Sequence, residues 1–422
     1  MNDFSSSVKV YSEKLASTEV WIISILAFAS MVRSQLLPAV VISAAFFWLV
    51  RKVAYSRFSV RTACDLPIIV LVLMLPVAVW VTVLPEITTI QVLRVLFGIA
   101  MFYTVANWCS SYNRLRLTLM GVMVAGLTLA LFAFISVEWS SYKLPFIPID
   151  LYKRFIVIVQ DTVHPNVLAG NLILLVPFGM AYLLFGWRDI NWLERSLAVI
   201  STFIISAIIF LTQTRGAWIA LGVVLIVLLM LRWRWGWLFL VLVVVGTIWL
   251  FNFYGSKELL DALTSSTTIG GIEGRVEIWS RAIFMIQDFP FTGIGMGLFS
   301  EVADSLYPFF SSPGSIPHAH NLFLQVAVDL GIPGLIAWLA ILLTVIFVSR
   351  QVFYSGKTSH NTLLTAIGAA LLCSQIALVT HGLLASATWG MVRPAPLVWV
   401  IWGVAIASFN LKKIIVQRGA NI

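Results

Sequence analysis

Charge is scarce in this chain. Only 11% of its 422 residues are charged while 60% are hydrophobic, and the mean hydropathy is +0.98. Soluble domains carry about 25% charged residues, so this balance excludes a water-soluble globular protein, whose core could not bury so much apolar surface. Cysteine is scarce as well. Cys64, Cys109 and Cys373 map inside apolar runs or on the basic side of them, which leaves the opposite loops without a disulfide framework. Residues 1–18 are polar and mixed in charge and lack the pattern of a cleavable signal, so the first apolar run is expected to stay as an anchor. Neither a solenoid-length repeat nor a low-complexity linker occurs.

What fills the chain is a series of apolar runs. A helix needs about 17 to 25 residues to cross the hydrocarbon of a bilayer. Runs of that order, some marginal, lie near 19–33, 35–50, 66–84, 90–108, 115–136, 166–187, 196–212, 216–232, 235–253, 333–349, 362–380 and 389–410. The reading is therefore an all-α polytopic membrane protein of about twelve transmembrane helices. An even number of spans puts both termini on one side. Most of the 27 lysines and arginines then fall in connections on that side, which makes it cytoplasmic. The net charge of +9 follows from this topology and calls for no nucleic-acid partner.

Segments 137–165, 254–332 and 381–392 face outward and are long enough to build a site. The middle one divides the chain into spans one to nine (1–253), a large loop (254–332) and spans ten to twelve (333–422). It is broken by Phe-Pro-Phe-Thr-Gly-Ile-Gly-Met-Gly and Ser-Ser-Pro-Gly-Ser turns. Between such breaks, 275–287 predicts an amphipathic helix lying on the membrane. At 100° per residue Arg275, Val276, Ile278, Trp279, Ala282, Ile283 and Ile286 share one broad face. Arg275 on that apolar face must either snorkel to water or meet an anion.

Of the five histidines, His164, His318, His320 and His381 fall on the outward side and His360 on the other. A His-x-His pair supplies two metal ligands where zinc wants three or four with carboxylates behind them. No Cys or acid cluster stands beside this pair, and no Asp-x-Asp pair on the outward side could hold a divalent ion on a diphosphate. Metal-independent chemistry without a cofactor is the expectation.

The outward face is also unusually cationic. Arg215 lies in the polar knot Thr212-Gln-Thr-Arg-Gly-Ala-Trp218 between two apolar runs. Its planar, permanently charged fork suits phosphate oxygens, and the competing reading is an interfacial arginine among lipid headgroups. Arg94, one turn inside the fourth span, carries the same two readings. Lys153 and Arg154 beside His164 are explained equally well as solvated loop charges, and Asn166 as a helix cap. With Arg275 and Arg393 these residues make a face that would suit a diphosphate-bearing substrate.

One pattern is more specific. His320-Asn321, the nine residues 322–330, Gly331, Ile332-Pro333 and Gly334 reproduce the ligase pattern of His, Asn/Ser/Gln, nine residues, Gly, two residues, Gly/Thr/Tyr. With the Gly-Arg275-Val-Glu-Ile-Trp, Phe-Thr-Gly-Ile-Gly-Met-Gly and Thr-Arg215-Gly-Ala-Trp stretches, the chain resembles the O-antigen ligase and polymerase superfamily of bacterial membrane glycosyltransferases. The resemblance covers about residues 160–350 and reaches the first 130 only through topology.

The resemblance implies twelve helices of the GT-C-like kind with a large periplasmic loop between the ninth and tenth. It implies an undecaprenyl-diphosphate-linked glycan as donor, the lipid A–core oligosaccharide of lipopolysaccharide as acceptor, and residence in the bacterial inner membrane. It assigns the essential histidine to His320 and essential arginines to Arg215 and Arg275. Arg94, Lys153, Arg154 and Arg393 would bind the diphosphate or lipid donor. His318, Asn321, His164 and His381 would serve the acceptor or support the others, His318 lying outside the pattern. Relatives that polymerise O-antigen, or that glycosylate periplasmic proteins, share the donor chemistry. Transport, the reading of a different class, predicts midplane polar residues and broken helices in paired halves, whereas the polar groups here gather at one face.

Overall fold

The computed structural model describes residues 2–139, 152, 155, 157–158, 162–254, 272–309, 316–390 and 396–419. Among these residues there is no strand, and one isolated parallel bridge joins Val137 to Val163. The helices in chain order are α1 (Asn2–Ser17), α2 (Glu19–Val32), α3 (Leu37–Tyr55), α4 (Asp65–Val81), α5 (Pro85–Trp108), α6 (Tyr112–Ser136), α7 (Pro165–Ala181), α8 (Trp192–Leu211), α9 (Arg215–Arg232) and α10 (Trp237–Tyr254). There follow α11 (Ile272–Asp288), α12 (Phe299–Leu306), α13 (Leu322–Thr358), α14 (Thr362–Gly382) and α15 (Pro396–Gly419).

Eight of the described helices are long and apolar enough to cross a membrane, and shorter apolar helices lie at Glu19–Ser30, Asp65–Val81, Trp237–Gly246 and Pro396–Lys412. Together they coincide with the apolar runs of the sequence. The protein is a polytopic, all-helical membrane protein.

The helices sort by how much of their surface other helices cover. α14 and α7, with its one-turn π extension Tyr182–Gly186, are enclosed by the bundle. α14 packs on α7, α9 and α13, and α15 packs on α5. α10 instead leaves Leu238, Val241, Leu242, Val245 and Trp249 exposed, as a helix facing lipid should.

Two predicted boundaries move. Residues 322–330 belong to helix α13, where the sequence suggests loop up to 332. The helix breaks at Gly331 (φ 68°, ψ −177°) and resumes through Pro333. A leucine-rich turn capped by Asn321, whose side chain accepts from the Phe323 and Leu324 amides, is a competent helix start. It is too short to register as a span. The last span begins at Pro396 rather than 389, because Ala387–Trp389 forms a separate 3-10 turn closed by Gly390 at φ 89°.

A second, smaller core sits beside the bundle. Ile278, Ala282 and Met285 of α11 join Ile294, Leu298, Phe299, Ala303, Ile316, Ala319 and Val328 there. α11 therefore packs on α13, and its buried stripe is narrower than the predicted face: Val276 and Ile283 are 57% and 44% exposed.

Candidate active site

The N-terminal ends of α7, α9 and α13, the C-terminal end of α14 and the first turn of α11 converge at one end of the bundle. The knot before α9 is built from side chains. The Tyr152 hydroxyl donates to the Leu211 carbonyl at 2.9 Å and accepts from Gln213 Nε2 at 2.8 Å. Gln213 takes a left-handed backbone (φ 50°), which reverses the chain sharply before Arg215 opens α9. The Thr214 hydroxyl donates to Asn166 Oδ1 at 2.9 Å, tying the start of α9 to the start of α7. Asn166 thus makes this tie, while the cap of α7 is His164, whose Nδ1 accepts from the Asn166 amide at 3.2 Å.

The His318-Ala-His320 loop is set by the second core. Ile316 and Ala319 are buried in it, so the residues flanking Ala319 are turned the other way. The two imidazoles meet with ring centroids 4.2 Å apart and an interplanar angle of 64°. The His320 amide donates to His318 Nδ1 at 3.3 Å, and His320 itself is left-handed (φ 49°). His318, which falls outside the sequence pattern, is thereby the direct neighbour of the patterned histidine.

Arg275 lies on the buried side of α11, in line with Ile278, Ala282 and Met285. Its Nη1 donates to the Leu384 carbonyl at 2.8 Å, and Asn321 Nδ2 donates to the adjacent Leu383 carbonyl at 3.2 Å. The turn after α14 is therefore held by an arginine of α11 and by the cap of α13.

The electrostatics are those of crowded cations. Burial and then the charge of Arg215 push the Arg275 guanidinium below its ordinary value. Burial, with the charge of His164, lowers His318 to about 4. His320 is lowered to about 3 by burial and then by His318, Arg275 and His164. Both imidazoles are neutral across the physiological range, and Arg275, whose guanidinium is repelled by that of Arg215, is held within the field of His320. An anion entering here would relieve that repulsion.

His381 lies elsewhere than in an outward turn. It belongs to the last turn of α14, is 1% exposed, and neither ring nitrogen has a hydrogen-bond partner among the described residues. It fits because α7 and α9 present glycines: a Cβ on Gly170 would stand 2.8 Å from its ring, and one on Gly216 3.6 Å away. Arg94 lies well inside α5, where its Nη1 donates to the Gly390 carbonyl at 3.0 Å and to Gln91 Oε1 at 3.3 Å. Lys153, Arg154 and Arg393 lie outside the described residues.

Several residues of this end escape a reading by sequence. Gln325, Asp329, Trp389 and Tyr152 are all buried and hydrogen-bonded around the loops just described. Asp329 carried the one available signal, a lone acid in an apolar stretch.

Residues 200–339 match the family model described as O-antigen ligase. The match supports the O-antigen ligase and polymerase superfamily, and it spans α9, α11 and the start of α13, including Arg215, Arg275 and the His320–Gly334 pattern. No curated protein matches the chain. The apolar helices and the superfamily together mark a multi-pass bacterial membrane protein.

Proposed function

We propose that the protein is an O-antigen ligase, transferring a glycan from undecaprenyl diphosphate to the lipid A–core oligosaccharide at the periplasmic face of the inner membrane. One observation carries the reading: a neutral, half-buried His320 stands against His318 and within the field of Arg275, which is itself repelled by Arg215. That arrangement joins a proton acceptor to a paired anion site.

An acceptor sugar hydroxyl is a weak nucleophile. His320 takes its proton as the oxygen bonds to the anomeric carbon of the donor. The bond from that carbon to the diphosphate oxygen breaks with its electron pair, and Arg215 and Arg275 stabilise the charge that collects on the leaving group. Attack opposite the leaving group inverts the anomeric centre. The activated sugar arrives on its lipid, so neither nucleotide nor metal is required by this scheme. His318 orients His320, and Asn321 holds the turn against which Arg275 rests. Arg94, engaged with Gly390, is given a positioning role rather than a place on the diphosphate.

The test is reconstitution. The full-length protein in proteoliposomes should transfer a lipid-linked glycan onto lipid A–core without added nucleotide. Extension of one lipid-linked glycan by another, with the core left bare, would replace ligation by polymerisation.

A further inference from the structure

Behind the histidine loop runs a buried chain of hydrogen bonds that the proposed chemistry does not use. The Ala319 amide, between the two histidines, donates to Gln325 Oε1 at 2.8 Å. The same amide group of Gln325 turns its Nε2 to Asp329 Oδ1 at 3.0 Å, one helical turn further along α13. Asp329 also accepts from Trp389 Nε1 on Oδ2 at 2.8 Å and from the Gly297 amide on Oδ1 at 3.3 Å. Gln325 and Asp329 are fully buried. Every partner of the carboxylate is a donor, and the orientation of Gln325 is dictated at both ends, because the Ala319 N–H needs an acceptor and the carboxylate needs a donor.

We infer that Asp329 is a positioning residue for His320, acting through Gln325 on the backbone of Ala319. It gathers the histidine loop, the glycine loop at Gly297 and the turn at Trp389 onto one carboxylate. Buried polar groups in such a chain have few alternatives, since a reversed amide leaves two donors facing each other. Trp389 precedes Gly390, whose carbonyl is held by Arg94, so the turn that reaches Asp329 is itself fixed from α5. The inference rests on the reading of His320 as the general base.

The network predicts its own rescue. Asp329→Asn puts an N–H₂ at one of the two carboxylate positions, where it faces either the Gln325 N–H₂ and the Gly297 N–H or the Trp389 N–H. In the first arrangement Gln325 must face that donor or reverse and lose Ala319; in the second the Trp389 N–H loses its acceptor and the turn is released from position 329. Adding Gln325→Glu restores the pattern. The carboxylate so introduced accepts from both the Ala319 N–H and the new side-chain N–H₂ at position 329, while the amide oxygen at that position still accepts from Trp389. Only the longer Gly297 contact is lost.

The experiment uses the full-length protein in proteoliposomes with a lipid-linked glycan donor and lipid A–core acceptor, and includes His320→Ala as a control. D329N should lower kcat by about a hundredfold, the order expected when a reacting group is misplaced by an ångström, while leaving both KM values within about twofold. The D329N/Q325E protein should return to within about fivefold of wild type. Wild-type kcat in D329N overturns the inference, as does a well-folded double variant no better than the single one. Should D329N fail to fold, Gln325→Leu, which removes the Ala319 bond and one donor to the carboxylate but leaves Asp329 with its Trp389 and Gly297 donors, must show the same loss of kcat; wild-type turnover there overturns it too. An active H320A protein would mean that the general-base reading of His320 has failed, and no transfer by the wild-type protein that the proposed function has. An inactive H320A beside an unimpaired D329N would mean that only the positioning role has.

Discussion

The imidazole of His320 stands edge-on to that of His318, centroids 4.2 Å apart, and the His320 amide donates to His318 Nδ1 at 3.3 Å. The two histidines are therefore unequal: one nitrogen of His318 is occupied by the backbone of its neighbour. His320→Ala should lower transfer by about 10²–10⁴-fold, the usual contribution of a general base, with the protein still inserted in the membrane. His318→Ala should lower it less, by about tenfold, because the base survives with a looser orientation. A His318 variant more impaired than the His320 variant would reverse the assignment; single-turnover rates on both decide it.

The second expectation concerns pH. His320 must be neutral to accept a proton, so activity falls as pH drops through its pKa. In the free protein, burial and the charges of His318, Arg275 and His164 hold that pKa at about 3. A bound diphosphate offsets the Arg275 charge and so raises it. The profile of kcat/KM reports the free enzyme and that of kcat the loaded one. The acid limb of kcat should therefore lie at higher pH than that of kcat/KM. Coincident limbs, or the opposite order, would remove His320 from the reach of the diphosphate.

Arg275 makes a single-atom contact to Leu384 through Nη1, and the rest of its fork is what a phosphate would use. Arg275→Lys and Arg215→Lys retain charge and lose the planar fork. Each should cost about 10²–10³-fold in kcat, comparable to losing one donor to a developing anion. Turnover near wild type in either variant would reduce that arginine to a structural or lipid-facing role.

Gly331 tests the fold rather than the chemistry. At φ 68° an L side chain is strained, and a Cβ there would stand 2.7 Å from the Phe291 carbonyl carbon. The Ile332 amide also donates to the Pro290 carbonyl at 2.7 Å across the same junction. Gly331→Ala should therefore destabilise the protein by at least about 1–3 kcal/mol, read as a lowered thermal midpoint in detergent, with activity lost in proportion to folded protein. An unchanged midpoint would mean that the break in α13 relaxes freely.

Much of this architecture was legible in the sequence because hydrocarbon demands long apolar runs, and a run is a local signal. The Gly331–Gly334 spacing was legible for the same local reason, although its meaning was not: Gly331 is needed because α13 breaks there against Phe291. Other features depended on packing. The helix at 322–330 is too short to stand out, and the face of α11 is chosen by α13 rather than by its own periodicity, so Val276 and Ile283 lie outside the buried stripe. His381 reads as a loop residue until the glycines at 170 and 216 are seen to make room for its ring. Gln325 and Asp329 lie one helical turn apart, but Trp389 and the Ala319 amide that complete the chain come from other segments, and only the fold brings these polar atoms together.

The most direct test of the central claim is the lipopolysaccharide gel profile of a strain lacking this gene, run beside its pool of lipid-linked glycan and complemented with the wild-type or His320→Ala gene. Ligation predicts uncapped core with polymer accumulating on the lipid carrier, restored to capped core by the wild-type gene and not by the His320→Ala gene. Core capped with a single repeat unit, or an unchanged profile, would contradict it.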